Sequence, residues 1–138
     1  AGRRMNDGMG DYVATQVIKS MLKKGIQVLN SKILILGFTF KENCPDVRNT
    51  KVIDIYHSLE EYNVNITVFD PWAEPSIVER EYGISVTNEL PNENFDSIVL
   101  AVAHDKFKDI DICSWAKDKS VIFDVKSILP KELVDGRL

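Results

Sequence analysis

The sequence predicts an α/β fold: a three-layer, Rossmann-like domain with a mostly parallel sheet of five to six strands, preceded by part of a separate helix. Three observations carry that expectation. Residues 33–36 and 97–102 are short and almost continuously apolar, as strands of a parallel sheet covered on both faces must be. Helix-periodic stretches alternate with these runs. The order strand, helix, strand calls for a right-handed crossover and a parallel pair.

Taken in order, residues 9–24 place Val13, Val17, Ile18, Met21 and Leu22 at spacings of three and four, an amphipathic helix. Lys23 and Lys24 suit its negative end, and Gly25 stops it. The expected division is therefore a helical segment over 1–30 and the α/β domain over 31–138. Residues 33–36 form the first strand and stop at Gly37. The polar segment 37–49 follows, and because ligands of open α/β sheets sit beyond the carboxyl ends of strands, it is the first place to look for chemistry.

Val52, Ile53, Ile55, Tyr56 and Leu59 predict a helix over 50–62, with Asn49 or Thr50 as its N-cap. Residues 65–69 read as the second strand, closed by Asp70 and Pro71. A helix runs from near Pro75 to Tyr82, ended by Gly83. Residues 84–86 are a candidate short edge strand, and 97–102 the central strand. Ile110, Ile112, Trp115 and Ala116 sketch a short helix, 121–123 a final strand, and 130–138 a short helical tail. Three strand ends, at Gly37, His104 and Asp124, should then face one crevice.

A chain of 138 residues fits one domain on the usual scale of about 100–200 residues. Hydrophobic content of 44% supplies a core and 28% charged residues keep the surface wet. A net charge of -4 and a pI near 5.2, with no stripe of Lys and Arg, exclude a nucleic-acid or anionic-membrane partner. Cys44 and Cys113 stand far apart with no CxxC and no neighbouring pair of His, so a reducing, cytoplasmic setting is expected and no metal site. No apolar run approaches the roughly 18 residues of a membrane span, and no signal-peptide pattern is present. Ala1 in place of Met leads us to expect that the segment belongs to a longer chain.

A dinucleotide site would show G-x-G-x-x-G after the first strand and an acid about 20 positions on. Here Gly37 is followed by Phe38, Thr39, Phe40 and Lys41, and Asp70 comes too late. The cations are more telling. Lys41 carries a compact ammonium suited to a phosphate or sugar oxygen, or simply to water. Arg48 can clamp a phosphate or carboxylate, or pair with Asp46 to stiffen the loop. Lys126 follows the last strand. His104 can bond a substrate hydroxyl, a partner domain or the local backbone. Cys44, beside Pro45 and without a base near it in sequence, is a loop thiol, and Cys113 is expected in the core.

Phe38-Thr39-Phe40-Lys41-Glu42-Asn43-Cys44-Pro45-Asp46-Val47-Arg48-Asn49 closely resembles the FKxNxxDxR loop opening the C-terminal domain of UDP-glucose/GDP-mannose dehydrogenases. These NAD-dependent enzymes oxidise C6 of a nucleotide sugar to a carboxylate. Arg3, Asn6 and Asp7, as R-x-x-N-D before a helix, resemble the end of the family's long connecting helix, which forms the homodimer core. Ala103-His104-Asp105-Lys106-Phe107 is similar to the A-H-x-x-F version found in dehydrogenases of UDP-N-acetylhexosamines, where UDP-glucose enzymes tend to carry E-W-x-x-F.

The resemblance implies that Phe40, Lys41, Lys126 and His104 bind a UDP-sugar. It implies that Arg48 reaches toward NAD across a domain interface, and that NAD is held mainly by a missing N-terminal domain. The family's catalytic cysteine lies in a G-G-x-C segment absent here, so no catalytic residue is expected in this chain. The partners implied are a UDP-sugar, that N-terminal domain and a second copy docking through residues 9–24, in polysaccharide or capsule precursor synthesis. The segment alone should bind UDP weakly and NAD not detectably. A nonenzymatic receiver-like module would need an acidic pair after the first strand, where Leu36 leads into Gly37 and Phe38. A free-standing NAD-binding regulatory domain would need the missing glycines.

Overall fold

The computed structural model describes residues 2–138, without the side chains of 2–7, so the R-x-x-N-D motif lies outside the described residues. Five strands, β1 (Lys32–Leu36), β2 (Asn65–Phe69), β3 (Phe95–Leu100), β4 (Ala116–Asp124) and β5 (Gly136–Arg137), form one sheet. Their order is β2-β1-β3-β4-β5 and every pairing is parallel. From β1 the chain crosses to β2 on one side and then returns to β3 on the other. The topological switch point therefore lies between the carboxyl ends of β1 and β3, where open α/β sheets bind ligands.

Side chains of a strand alternate between faces, and the apolar runs serve both. Ile33, Ile35 and Val99 pack on one face with α1 (Gly2–Lys23) and α2 (Val52–Glu60). Leu34, Leu36 and Ile98 pack on the other with Phe107, Ile112 and Trp115. Val78 of α3 (Pro75–Tyr82) joins the first cluster, and Gly83 ends that helix at φ 71°.

Helix α1 begins earlier than the expected 9–24 and is tied to the domain rather than standing off it. Val13, Val17 and Met21 are fully buried against Ile55 and Leu59. At Gly10 the two helices nearly touch, because an added Cβ would lie 2.7 Å from the carbonyl carbon of Asp54. Ser58 Oγ donates to Asp11 Oδ1 at 2.5 Å. Just beyond the helix, Lys24 Nζ lies 2.6 Å from both the Ser120 carbonyl and Asp135 Oδ1. The apolar stripe of α1 thus finds its partner within the domain, and only its outer side is left for another chain.

Other elements depart from the sequence reading for local reasons. The N-cap of α2 is Lys51, without a side-chain cap bond, while Thr50 Oγ1 accepts from the Val52 amide at 3.2 Å and Asn49 turns the loop at φ 64°. Residues 84–86 do not form a strand, since the segment meets β2 only through a single bridge between Thr87 and Phe69. The expected helix over 110–116 is instead a 3-10 turn, Ile112–Trp115, capped by Asp111 and preceded by another, Asp105–Asp109; Ala116 already opens β4, and Cys113, expected in the core, is exposed. The tail forms a 3-10 turn, Lys131–Leu133, and then β5 rather than a helix. Asp135 Oδ2 accepts from the Ile122 amide at 2.8 Å and sets that last strand against β4.

Candidate functional site

The site begins with Gly37, which leaves β1 at φ 95° with no room for a side chain: an added Cβ would lie 2.5 Å from Val102 Cβ. The ends of β1 and β3 are therefore in contact, and the 37–49 loop has to turn away at once. What holds it is Asp70, fully buried at the end of β2. Its Oδ2 accepts from the amides of Phe38 at 2.6 Å and Thr39 at 3.1 Å, and its Oδ1 from those of Trp72 at 2.7 Å and Ala73 at 3.0 Å. Amides of this kind at the first βα turn hold the pyrophosphate in a dinucleotide-binding domain. Here a carboxylate of the protein itself occupies them.

His104 completes the brace. Its Nε2 lies 2.9 Å from Asp70 Oδ2, and its Nδ1 accepts from the Asn43 amide at 2.9 Å. An Nδ1 that accepts cannot carry a proton, so the hydrogen-bond pattern assigns a neutral ring with its hydrogen on Nε2, donated to Asp70. Thr39 Oγ1, 3.2 Å from Nε2, passes its own hydrogen to the Lys41 carbonyl at 2.9 Å. Burial pushes the Asp70 carboxyl up, but the bond from His104 and those from the Phe38 and Trp72 amides outweigh it and hold the group below its ordinary value. His104 is fully buried, so its imidazole offers no open nitrogen to a ligand and instead fixes the loop.

The far half of the loop is anchored from α3. Tyr82 donates to the Val47 carbonyl at 2.5 Å and its ring meets Phe38 edge-on at 5.4 Å. Arg48 Nε and the Arg48 amide both reach Asp46 Oδ1, at 3.1 and 2.9 Å. The side-chain bond from Arg48 lowers the Asp46 pKa and raises that of Arg48. The Arg48 side chain stays 82% exposed, so stiffening the loop does not bury it.

Asp124 repeats the Asp70 device at the end of β4. Its Oδ1 accepts from the amides of Lys126 and Ser127 at 2.9 and 2.8 Å, and its Oδ2 from that of Leu129 at 2.7 Å. Lys126 is thereby held at the crevice with its side chain exposed. A cleft of about 120 Å³ lies between these loops, with Phe40, Lys126, Lys51, Val102 and Met9 of α1 in its wall. Phe40 and Lys126 are thus brought together. Lys41, next to Phe40 in the chain, and Arg48 are both exposed, and neither lines this cleft.

A larger hollow, about 670 Å³, lies elsewhere, at the amino end of the sheet around Asp96 and Lys117. Those two groups pair with each other at 3.1 Å, and the other charged residues of its wall, Asp118 and Lys119, are of opposite sign, so the hollow has no charge preference. Among the described residues, no group of three or more His, Cys, Asp or Glu could hold a metal ion, and no helix is long and apolar enough to cross a membrane.

Sequence reasoning missed Asp70 and Asn43 as the organisers of the loop, and Lys51 altogether. An acid followed by Pro at a strand end was the available signal for Asp70. Lys51 gave none, because it reads as a surface lysine at the start of a helix.

A sequence model of the UDP-glucose/GDP-mannose dehydrogenase family, UDP binding domain, matches residues 34–131. The UDP-N-acetyl-D-glucosamine 6-dehydrogenase of Salmonella typhi is 51% identical over 141 residues, covering 100% of this chain and 33% of that protein. The enzyme of the same name from Pseudomonas aeruginosa is 47% identical, with the same coverage of 100% and 33%. The chain therefore spans about a third of the length of these curated relatives. Among solved structures, the NDP-N-acetyl-D-galactosaminuronic acid dehydrogenase of Methanosarcina mazei superposes with a TM-score of 0.81 over 93% of this chain and 27% of that one. At 22% identity that likeness speaks to the fold.

Proposed function

The chain belongs to the UDP-glucose/GDP-mannose dehydrogenase family, and on that footing we propose that it is the part of a UDP-sugar 6-dehydrogenase that grips UDP. The remaining part of the parent protein holds NAD and oxidises C6 to a carboxylate. One observation supports the reading: an exposed aromatic ring, Phe40, and a cation, Lys126, line a single cleft at the switch point, and Lys41 follows Phe40 in the chain. An aromatic face suits a ribose or base, and ammonium groups suit a diphosphate. A UDP-N-acetylhexosamine is the favoured substrate, supported by the A-H-x-x-F version at Ala103 and by the names of the relatives, with UDP-glucose second. Polysaccharide precursor synthesis is the setting.

His104 serves that site by position. It holds Asn43 and, through Asp70 and Thr39, the backbone on either side of Phe40 and Lys41. The NAD cofactor does not fit this chain's own switch point, because the amides that would meet its pyrophosphate are taken by Asp70. Arg48, with its exposed side chain, is suited to reach an anion held by the other domain. A homodimer through residues 9–24 would use the outer side of α1, where Tyr12 and Leu22 are 51% and 61% exposed. The two free thiols accord with a reducing, cytoplasmic location.

The test is kinetic and uses the full-length enzyme. Lys41→Ala should raise KM for the UDP-sugar about tenfold or more with kcat little changed, because a contact kept from ground state to transition state affects binding rather than the chemical step. Unchanged KM and kcat would remove Lys41 from the site.

A further inference from the structure

The cleft that holds Phe40 and Lys126 carries a second cation that lies outside the 37–49 motif. Lys51 lines it from the first residue of the α2 cap, across from the β4 loop. No acidic residue lines this cleft, in a chain where 21 acids outnumber 17 basic residues. The acid nearest Lys126 in sequence, Asp124, spends both its oxygens on amides of its own loop. None of the ion pairs among the described residues involves Lys51 or Lys126. Two lysines in the wall of one cleft that no acidic residue lines make a place for an anion, and the apolar floor of Val52, Ile55 and Val102 strengthens the attraction. At about 120 Å³ the cleft admits a phosphate group rather than a nucleotide.

We propose that Lys51 is a further substrate-binding residue, closing with Lys126 on the diphosphate of the nucleoside-diphosphate sugar. The inference rests on the reading given under Proposed function and adds a residue to it. In the full-length enzyme, Lys51→Gln should raise KM for the UDP-sugar and weaken inhibition by UDP about tenfold, the loss of one charge-assisted hydrogen bond. Inhibition by uridine, which lacks phosphate, should not change, and Lys51→Arg should restore most of the affinity for UDP. Unaltered UDP inhibition in Lys51→Gln, alongside weakened inhibition in Lys41→Ala, would overturn the role of Lys51 and leave the broader reading standing. Equal weakening for UDP and uridine would make Lys51 a structural residue and would also overturn it. If Lys41→Ala, Lys126→Ala and Lys51→Gln all leave UDP inhibition unchanged, the reading itself falls and this inference with it.

Discussion

His104 and Asp70 act as one unit, and removing either leaves buried groups without partners. His104→Ala removes the acceptor of the Asn43 amide and deprives the fully buried Asp70 of its side-chain donor, at a cost of about 1–3 kcal/mol for the buried group left unmet. A drop of that size in urea unfolding is expected, and a loss under ~0.5 kcal/mol would mean that the loop is held by other means. Asp70 also sets an acid limit. Its folded pKa is depressed, so its stabilisation is present above the unfolded carboxylate value of about 3.9 and is lost as pH falls through the folded value. Unfolding midpoints should fall below about pH 5, and the difference between the chain and Asp70→Asn should shrink over that same acid limb. A difference independent of pH would contradict the carboxylate's role. Gly37→Ala combines a left-handed backbone with contact on Val102, and the left-handed conformation alone costs about 1–2 kcal/mol.

At the scale of elements, Gly10 sets two effects against each other. Replacing a mid-helix Gly by Ala raises intrinsic helix stability by up to about 1 kcal/mol. Here the new methyl would meet the backbone of Asp54 at 2.7 Å, which cannot swing aside as a side chain could, so α1 and α2 must separate. We expect Gly10→Ala to lower the melting temperature; a rise would show that the crossing is loose. The strands were legible because each is a short apolar run bounded by turn formers, and two covered faces require apolar residues in succession. The 3-10 turns and β5 were not. Their form depends on Asp111 and Asp135 meeting amides, and for Asp135 that amide belongs to Ile122 on another strand. Lys126 could be placed near Phe40 because each follows the end of a strand. The burial of His104 could not, because it is decided by Asn43 and Asp70, which are 61 and 34 positions away in sequence.

Across the whole molecule, the buried acids and the exposed cations at the strand ends are complementary. Asp70 and Asp124 turn inward to fix the loops, while Lys41, Lys51 and Lys126 stay exposed, the last two in the wall of one cleft with Phe40, in a protein of net negative charge. The same use of Asp70 closes the dinucleotide route, so UDP and NAD should be separated by this domain. Calorimetric titration of the 138-residue chain tests that claim most directly. The account predicts weak, saturable binding of UDP that is lost in the Lys41→Ala, Lys126→Ala double variant, and no measurable heat with NAD. Micromolar affinity for NAD, or UDP binding indifferent to both lysines, would contradict it.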